Sequence, residues 1–141
     1  MYESLTRMSL PTKEYRELLG TAICVFSSNN GFFIENILRY EANETLSWYE
    51  LIDKESGELP KIANRVLVDE QGQAIVDLFQ KIVKMRNRIV HSFRITNYEG
   101  EQSLATKTKD NIQFEITEAY LMEFIRENDN LSSMLHALRG W

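Results

Sequence analysis

One helical pattern constrains the fold more than any other stretch of this chain. Between Ile75 and Ile89, apolar residues recur so that they share one face of an ideal helix with about 100° per residue. Arg86 falls in the middle of that face, where an always-charged guanidinium is costly unless an anion meets it. The pattern therefore predicts a core-facing helix over about 70–91 that carries a charge in need of a partner. The apolar residues of this face are Ile75, Leu78, Phe79, Ile82, Met85 and Ile89.

Three other amphipathic stretches predict helices near 13–27, 32–52 and 118–138. Between the first two, the run Ser27-Ser28-Asn29-Asn30-Gly31 indicates a turn. Residues 53–60 have the composition of a loop, and 61–68 are ambiguous between loop and a short helical turn. Three residues are suited to cap helices at their N-termini: Thr12, Asp69 and Thr117.

The pattern changes to β-structure between the last two helices. Residues 93–98 are β-prone, 112–116 alternate as a half-buried strand does, and 103–108 form a weaker strand before a turn at 109–111. We expect a small antiparallel hairpin or meander here. The fold prediction is a mainly α protein: a four- to five-helix bundle in one domain, 1–141, with a β-hairpin at 93–116 inserted before the last helix.

Composition limits the chemistry that this chain can perform. It has one cysteine, Cys24, and two histidines, so neither a disulfide nor a multi-histidine metal site can form within one chain. We expect Cys24 to be a packed small side chain rather than a nucleophile. Phosphate-loop, dinucleotide-binding and serine-hydrolase motifs do not occur. The sequence therefore predicts a site without metal or cofactor.

Charge and hydropathy bear on partners and compartment. The net charge is −5, from 16 Lys and Arg against 21 Asp and Glu, which disfavours a non-specific grip on nucleic acid but leaves room for a local basic site. No apolar run approaches the length of a membrane span, and the first residues lack the pattern of a secretory signal. We expect a cytoplasmic protein that does not enter a membrane.

Glu41 is a carboxylate on the apolar stripe of the predicted second helix. The simplest interpretation pairs Glu41 with Arg86 across packed helices, because each side chain would solve the burial problem of the other. The alternative is a phase error of one residue, in which case both side chains extend to water.

The segment Arg86-Asn87-Arg88-Ile89-Val90-His91 resembles the signature of the HEPN superfamily, an arginine followed after four to six residues by a histidine, often with Asn after the arginine. The setting is similar too: the motif ends a long helix in a helical protein of this size. The resemblance covers about residues 12–92 and 117–139. The β segment at 93–116 lies outside the minimal family pattern.

This resemblance implies metal-independent RNA cleavage by a homodimer whose motifs face each other. It implies that His91 is the general acid or base and that Arg86 holds the scissile phosphate. Asn87 would orient the imidazole or bond a phosphate oxygen, Glu41 would position Arg86, and Arg88 would steer RNA. Because the RNA's own 2′-hydroxyl would attack, the reaction needs no cofactor and should leave 2′,3′-cyclic phosphate ends.

A second hypothesis stays open beside the ribonuclease. HEPN-like chains also serve as non-catalytic dimeric modules, and the acidic net charge favours such an interaction protein. The predicted partners are RNA, a second copy of the chain, and an antitoxin or other regulatory protein. A toxin, a defence ribonuclease and an RNA-processing enzyme are all compatible with the motif.

Overall fold

The computed structural model describes residues 2–42 and 44–140. In these ranges the chain forms a short 3-10 helix at Tyr2–Leu5, five α-helices and three β-strands. The protein is mainly helical, and its small antiparallel sheet lies just before the last helix, as the sequence predicts. The elements are α1 (Lys13–Tyr40), α2 (Trp48–Asp53), α3 (Leu59–Val66), α4 (Glu70–Val90), β1 (Phe93–Thr96), β2 (Gln102–Lys107), β3 (Gln113–Ile116) and α5 (Glu118–Arg139).

The three long helices α1, α4 and α5 share one core. Phe33 of α1 stacks on Phe79 of α4 with ring centroids 3.9 Å apart. Phe26 lies between α4 and α5, 6.2 Å from Phe79 and 6.2 Å from Phe124. Such aromatic pairs contribute beyond the area they bury. The core therefore fixes the middle of α1 against both α4 and α5.

Three helices begin at the caps that the sequence predicts. The side chain of Thr12 accepts from the Tyr15 amide at 3.2 Å, that of Asp69 from Gly72 at 2.7 Å, and that of Thr117 from Tyr120 at 3.1 Å. Each bond satisfies an amide of the first turn that has no partner inside the helix. The predicted limits of the helix at 70–91 and of the last helix are confirmed to within one residue.

The predicted turn at 27–31 is wrong, because α1 continues through it without a break. Asn29 is buried there, and its amide donates to the backbone and side-chain oxygens of Asn128 on α5 at 2.8 and 3.0 Å. Gly31 allows Trp48 to approach, since a Cβ built on Gly31 would lie 3.3 Å from Trp48 Cη2. Contacts with α5 and α2 thus override the local preference of these residues for a turn.

The predicted single helix over 32–52 is also wrong, because the chain leaves the helix after Tyr40 and begins α2 only at Trp48. The Glu41 carboxylate accepts hydrogen bonds from the Thr45 and Leu46 amides, at 2.8 and 3.3 Å. Ser47 then caps α2 by accepting from the Glu50 amide. Local side-chain bonds of this kind compete with helix formation and explain the break.

The β segment is a three-stranded antiparallel meander in the order β1-β2-β3 rather than a single hairpin. Its central strand is the one predicted to be weaker, and Phe93 pairs with Ala105 while Leu104 pairs with Ile116. The hydroxyl of Tyr15 on α1 donates to the Ile116 carbonyl at 2.5 Å. The sheet is thereby attached to the start of α1 as well as to the end of α4.

No helix in the described part of the chain combines the length and apolar character that crossing a bilayer requires.

Cys24 lies on an exposed position of α1, so the prediction that it is packed is wrong. Its neighbours Ala22 and Phe26 face the core instead.

Candidate functional site

An open cleft of about 690 Å³ lies between the middle of α1, the loop after α2 and the end of α4. Arg86, Asn87 and His91 all line it, and we name it the Arg86 cleft. Phe26 contributes to its wall from α1 and Phe124 from α5. The fold thus gathers the three residues of the sequence motif in one concave surface.

Arg86 is partly buried in the wall of this cleft. Its guanidinium carbon lies 5.4 Å from the centre of the Phe26 ring, within the range of a cation–π interaction. One guanidinium nitrogen donates to Asn87 Oδ1 at 3.3 Å. Both contacts come from uncharged groups, so they hold the side chain in place without neutralising it.

No carboxylate within residues 2–42 and 44–140 forms an ion pair with Arg86. A guanidinium on an apolar face is costly without an anion, and the described residues do not supply one. A planar guanidinium has five N–H donors and matches the geometry of phosphate oxygens. Arg86 therefore presents a guanidinium without a paired carboxylate to a ligand that enters the cleft.

His91 ends α4, and its backbone is held on both sides. Its amide donates to the Asn87 carbonyl at 3.0 Å, and its carbonyl accepts from Thr106 Oγ1 of β2 at 3.4 Å. The residue is exposed, and its imidazole bonds to nothing in the described ranges. The imidazole is therefore accessible for proton transfer, for which histidine is suited near neutral pH.

The predicted pairing of Glu41 with Arg86 is wrong. Glu41 accepts from Thr45 Oγ1 at 2.5 Å, and this hydrogen bond is the main reason that the pKa of Glu41 lies below its usual value, against an opposing effect of burial. Glu41 lines a separate groove near Arg65 of α3. Because α1 ends at Tyr40, Glu41 no longer follows the helical phase that led to the prediction.

Arg88 also lies apart from the cleft. Its guanidinium donates to the Lys107 carbonyl at the end of β2, in a short contact that joins α4 to the sheet. Arg88 is not among the residues that line the Arg86 cleft. The predicted role in steering RNA at this site therefore has no geometric support.

Sequence reasoning missed the wall formed by α1 and the loop after α2. Asn30 and the segment Lys54-Glu55-Ser56-Gly57 line the cleft, and Ser56 Oγ donates to Asn30 Oδ1 at 2.8 Å. A signal for Asn30 was present, because it follows Phe26 by four residues and shares its helix face. The predicted turn at 27–31 concealed that relation.

The cleft offers no ready site for a metal ion. In the described ranges no three residues among His, Cys, Asp and Glu cluster so that they could hold one. The charged side chains of the cleft are Arg86, Lys54 and one carboxylate, Glu55, beside the exposed imidazole of His91. Two permanent cations against one carboxylate, with the amide donors of Asn87 and Asn30, favour an anionic ligand over a cation.

Comparison with known proteins adds no relative. The chain matches no protein-family model, and no curated protein and no solved structure is detectably similar to it.

Proposed function

We propose that this protein is a metal-independent endoribonuclease of the HEPN type and that the Arg86 cleft is its active site. The observation that supports the proposal is the uncompensated guanidinium of Arg86 in the same cleft as the exposed imidazole of His91. An anionic substrate with an adjacent proton to transfer would use both groups. The phosphodiester of RNA with its neighbouring 2′-hydroxyl has these two features.

The proposed reaction needs only proton transfer and charge stabilisation. His91 takes the proton from the 2′-hydroxyl, whose oxygen attacks the adjacent phosphorus. Arg86 stabilises the negative charge that develops on the non-bridging oxygens, while Asn87 keeps the guanidinium in position. The bond from phosphorus to the 5′ oxygen breaks, and that oxygen takes a proton from water or from a second copy of the motif. The products carry a 2′,3′-cyclic phosphate and a 5′-hydroxyl.

A homodimer is part of this proposal. Arg86 lies on α4 and His91 is the residue that caps its end, five residues later, so with ideal helical geometry their side chains leave the axis about 140° apart. A second copy that faces the cleft would supply the missing side of the site. Three apolar side chains that line the cleft are exposed, Ile23 at 51%, Ile52 at 42% and Val90 at 44%, and a two-fold contact would cover them.

The same exposed apolar residues favour a second candidate function. A cleft with an apolar rim is also what a non-catalytic interaction module presents to a partner protein, such as an antitoxin or regulator. In that case Arg86 would bind an acidic group of the partner. RNA cleavage separates the two candidates, because only the ribonuclease needs the imidazole of His91.

The test is the incubation of purified protein with end-labelled single-stranded RNA and with DNA of the same sequence, both in EDTA. We expect cleavage of the RNA alone, with 5′-hydroxyl ends, and none with His91→Ala. Lys84→Met removes an exposed charge from α4 outside the cleft and serves as the matched control that stays active. A 5′-phosphate product, or equal activity in the His91 variant, contradicts the mechanism. A stable dimer that leaves RNA intact favours the interaction module.

A further inference from the structure

A second groove adjoins the Arg86 cleft and is lined by aromatic rings. It has a volume of about 530 Å³, and we name it the aromatic groove after Phe32, Trp48 and His136. Ser27 and Ile52 line both depressions, so the two are continuous along the surface of α1 and α2. A ligand longer than one phosphate that enters the cleft can therefore extend into the groove.

The rings of the groove are held in place by the fold. Phe32 and His136 contact each other across α1 and α5, with ring centroids 4.6 Å apart. Trp48 packs against the Gly31 backbone, where a Cβ would lie only 3.3 Å from Cη2. Trp48 nevertheless remains 36% exposed, so part of its indole faces solvent. A fixed and partly open indole is the feature with which proteins stack the bases of a single strand.

The groove contributes stacking rather than net charge. Its acidic and basic side chains are Glu35 and Arg139, which pair with each other at 3.4 Å. The cationic part of the continuous surface lies in the Arg86 cleft, where Arg86 and Lys54 outnumber the one carboxylate, Glu55. A ligand that fits both parts therefore has an anionic unit attached to a flat, uncharged ring, which describes a nucleotide within a strand.

The spacing along α1 sets the reach of such a ligand. Phe26 contacts Arg86, and Gly31 contacts Trp48, five residues further along the helix. At about 1.5 Å per residue this is about 7.5 Å along the axis, and the two positions also lie about 140° apart around it, so the axial rise is a minimum separation. Because stacked nucleotides rise about 3.4 Å each, a ligand that joins Arg86 to the indole must span at least two nucleotides.

We propose that the aromatic groove is a nucleobase subsite in which Trp48 stacks on a base of the single-stranded RNA whose phosphate binds Arg86. This inference rests on the proposed function for its ligand, but it concerns binding and not cleavage. In this proposal Trp48 contributes to the affinity for single-stranded RNA. High affinity then requires a base near the phosphate that binds Arg86. RNA with an abasic site at that position should bind poorly.

The test is the anisotropy of a labelled 2′-O-methyl pentanucleotide, which lacks the free hydroxyl needed for cleavage. We expect Trp48→Ala to raise Kd about 5- to 150-fold, the loss typical of one base stack, and Trp48→Phe to restore most of the affinity. Tyr49→Ala is the matched control, since Tyr49 is an adjacent aromatic residue, 80% exposed and outside both depressions. Thermal unfolding confirms that each variant is folded.

Abasic substitution at each position of the pentanucleotide identifies the stacked base. At one position, removal of the base should weaken binding by the wild type but not by Trp48→Ala, because the indole and that base form a single interaction. The share of affinity due to Trp48 should persist at high salt, whereas the share due to Arg86 should fall.

The outcomes separate this inference from the proposed function. If Trp48→Ala binds like Tyr49→Ala, the subsite is refuted, whether or not the wild type cleaves RNA. If binding depends on Trp48 but no RNA is cleaved, the ribonuclease is refuted and the subsite stands. If the wild type binds no oligonucleotide, both are refuted.

Discussion

Replacement of Arg86 by methionine tests both the chemistry and the physical interpretation of the Arg86 cleft. Methionine retains an unbranched side chain that can pack on Phe26, but it removes the charge and the donors. Loss of one group that stabilises developing negative charge typically lowers kcat by about 10²–10³, which corresponds to roughly 2.7–4 kcal/mol. We expect a loss of this size in RNA cleavage by Arg86→Met.

The stability of the same variant should change much less, because no carboxylate in the described ranges forms an ion pair with Arg86 that the substitution would remove. The contact with Phe26 at 5.4 Å contributes about 1 kcal/mol, and the long bond to Asn87 at 3.3 Å about 0.5 kcal/mol. We therefore expect the free energy of unfolding to fall by about 1.5 kcal/mol. At about 4 °C per kcal/mol for a domain of this size, Tm should fall by roughly 6 °C.

Cleavage kinetics and denaturant unfolding of wild type, Arg86→Met and Lys84→Met provide the comparison. Lys84 is exposed on the same helix, so its variant should retain activity and lose less than about 0.5 kcal/mol of stability. A stability loss of roughly 3–5 kcal/mol in Arg86→Met would show that a buried carboxylate pairs with Arg86 after all. Full activity in Arg86→Met would refute the cleft as the site of reaction.

Three other predictions concern neighbouring parts of the structure. His91→Ala should abolish cleavage and change the unfolding free energy by less than about 0.5 kcal/mol, measured by denaturation, because the side chain is exposed and the bond from Thr106 goes to its backbone. Ser56→Ala should raise KM more than it lowers kcat in steady-state kinetics, since it removes the bond to Asn30 that holds the loop wall; an unchanged KM would contradict this positioning role. Burial raises the pKa of Tyr15 above its ordinary value of 10.0. The protonated hydroxyl therefore contributes to the free energy of unfolding below about pH 10, and this contribution is lost as pH rises through the pKa of the folded state. Unfolding scans should show this alkaline loss in the wild type and a smaller one in Tyr15→Phe, whose stability should depend less on pH above 10.

The long apolar helix, the caps and the sheet could be predicted because they depend on local patterns. The periodicity from Ile75 to Ile89 and the cap at Asp69 are both present in the sequence, and α4 follows them. The alternating residues near Phe114 likewise predict a strand. In these elements, local preference and tertiary packing lead to the same structure.

The division of the N-terminal half could not be predicted, because distant contacts determine it. Asn29 favours a turn by itself, but its bonds to Asn128, 99 residues later, make helix the better solution. Conversely, Glu41 fits a helical stripe, but its bonds to Thr45 end the helix. No local pattern reports either choice.

The candidate site shows the same division. The motif residues Arg86, Asn87 and His91 could be identified from the sequence, and all three line one cleft. Their surroundings could not, because Phe26 and the loop at Ser56 approach them only through the packing of α1. The expected carboxylate beside Arg86 is replaced by an aromatic ring, which leaves the charge open to a ligand.

The packing of α5 against α1 also has a consequence for biosynthesis. Arg86, Asn87 and His91 leave the ribosome before α5, yet Phe124 lines their cleft and Asn128 anchors the α1 wall. A nascent chain that ends within the sheet therefore carries the whole motif before the α5 side of the cleft exists. If the cleft is the active site, the proposed ribonuclease is complete only after α5 has been synthesised and has packed against α1.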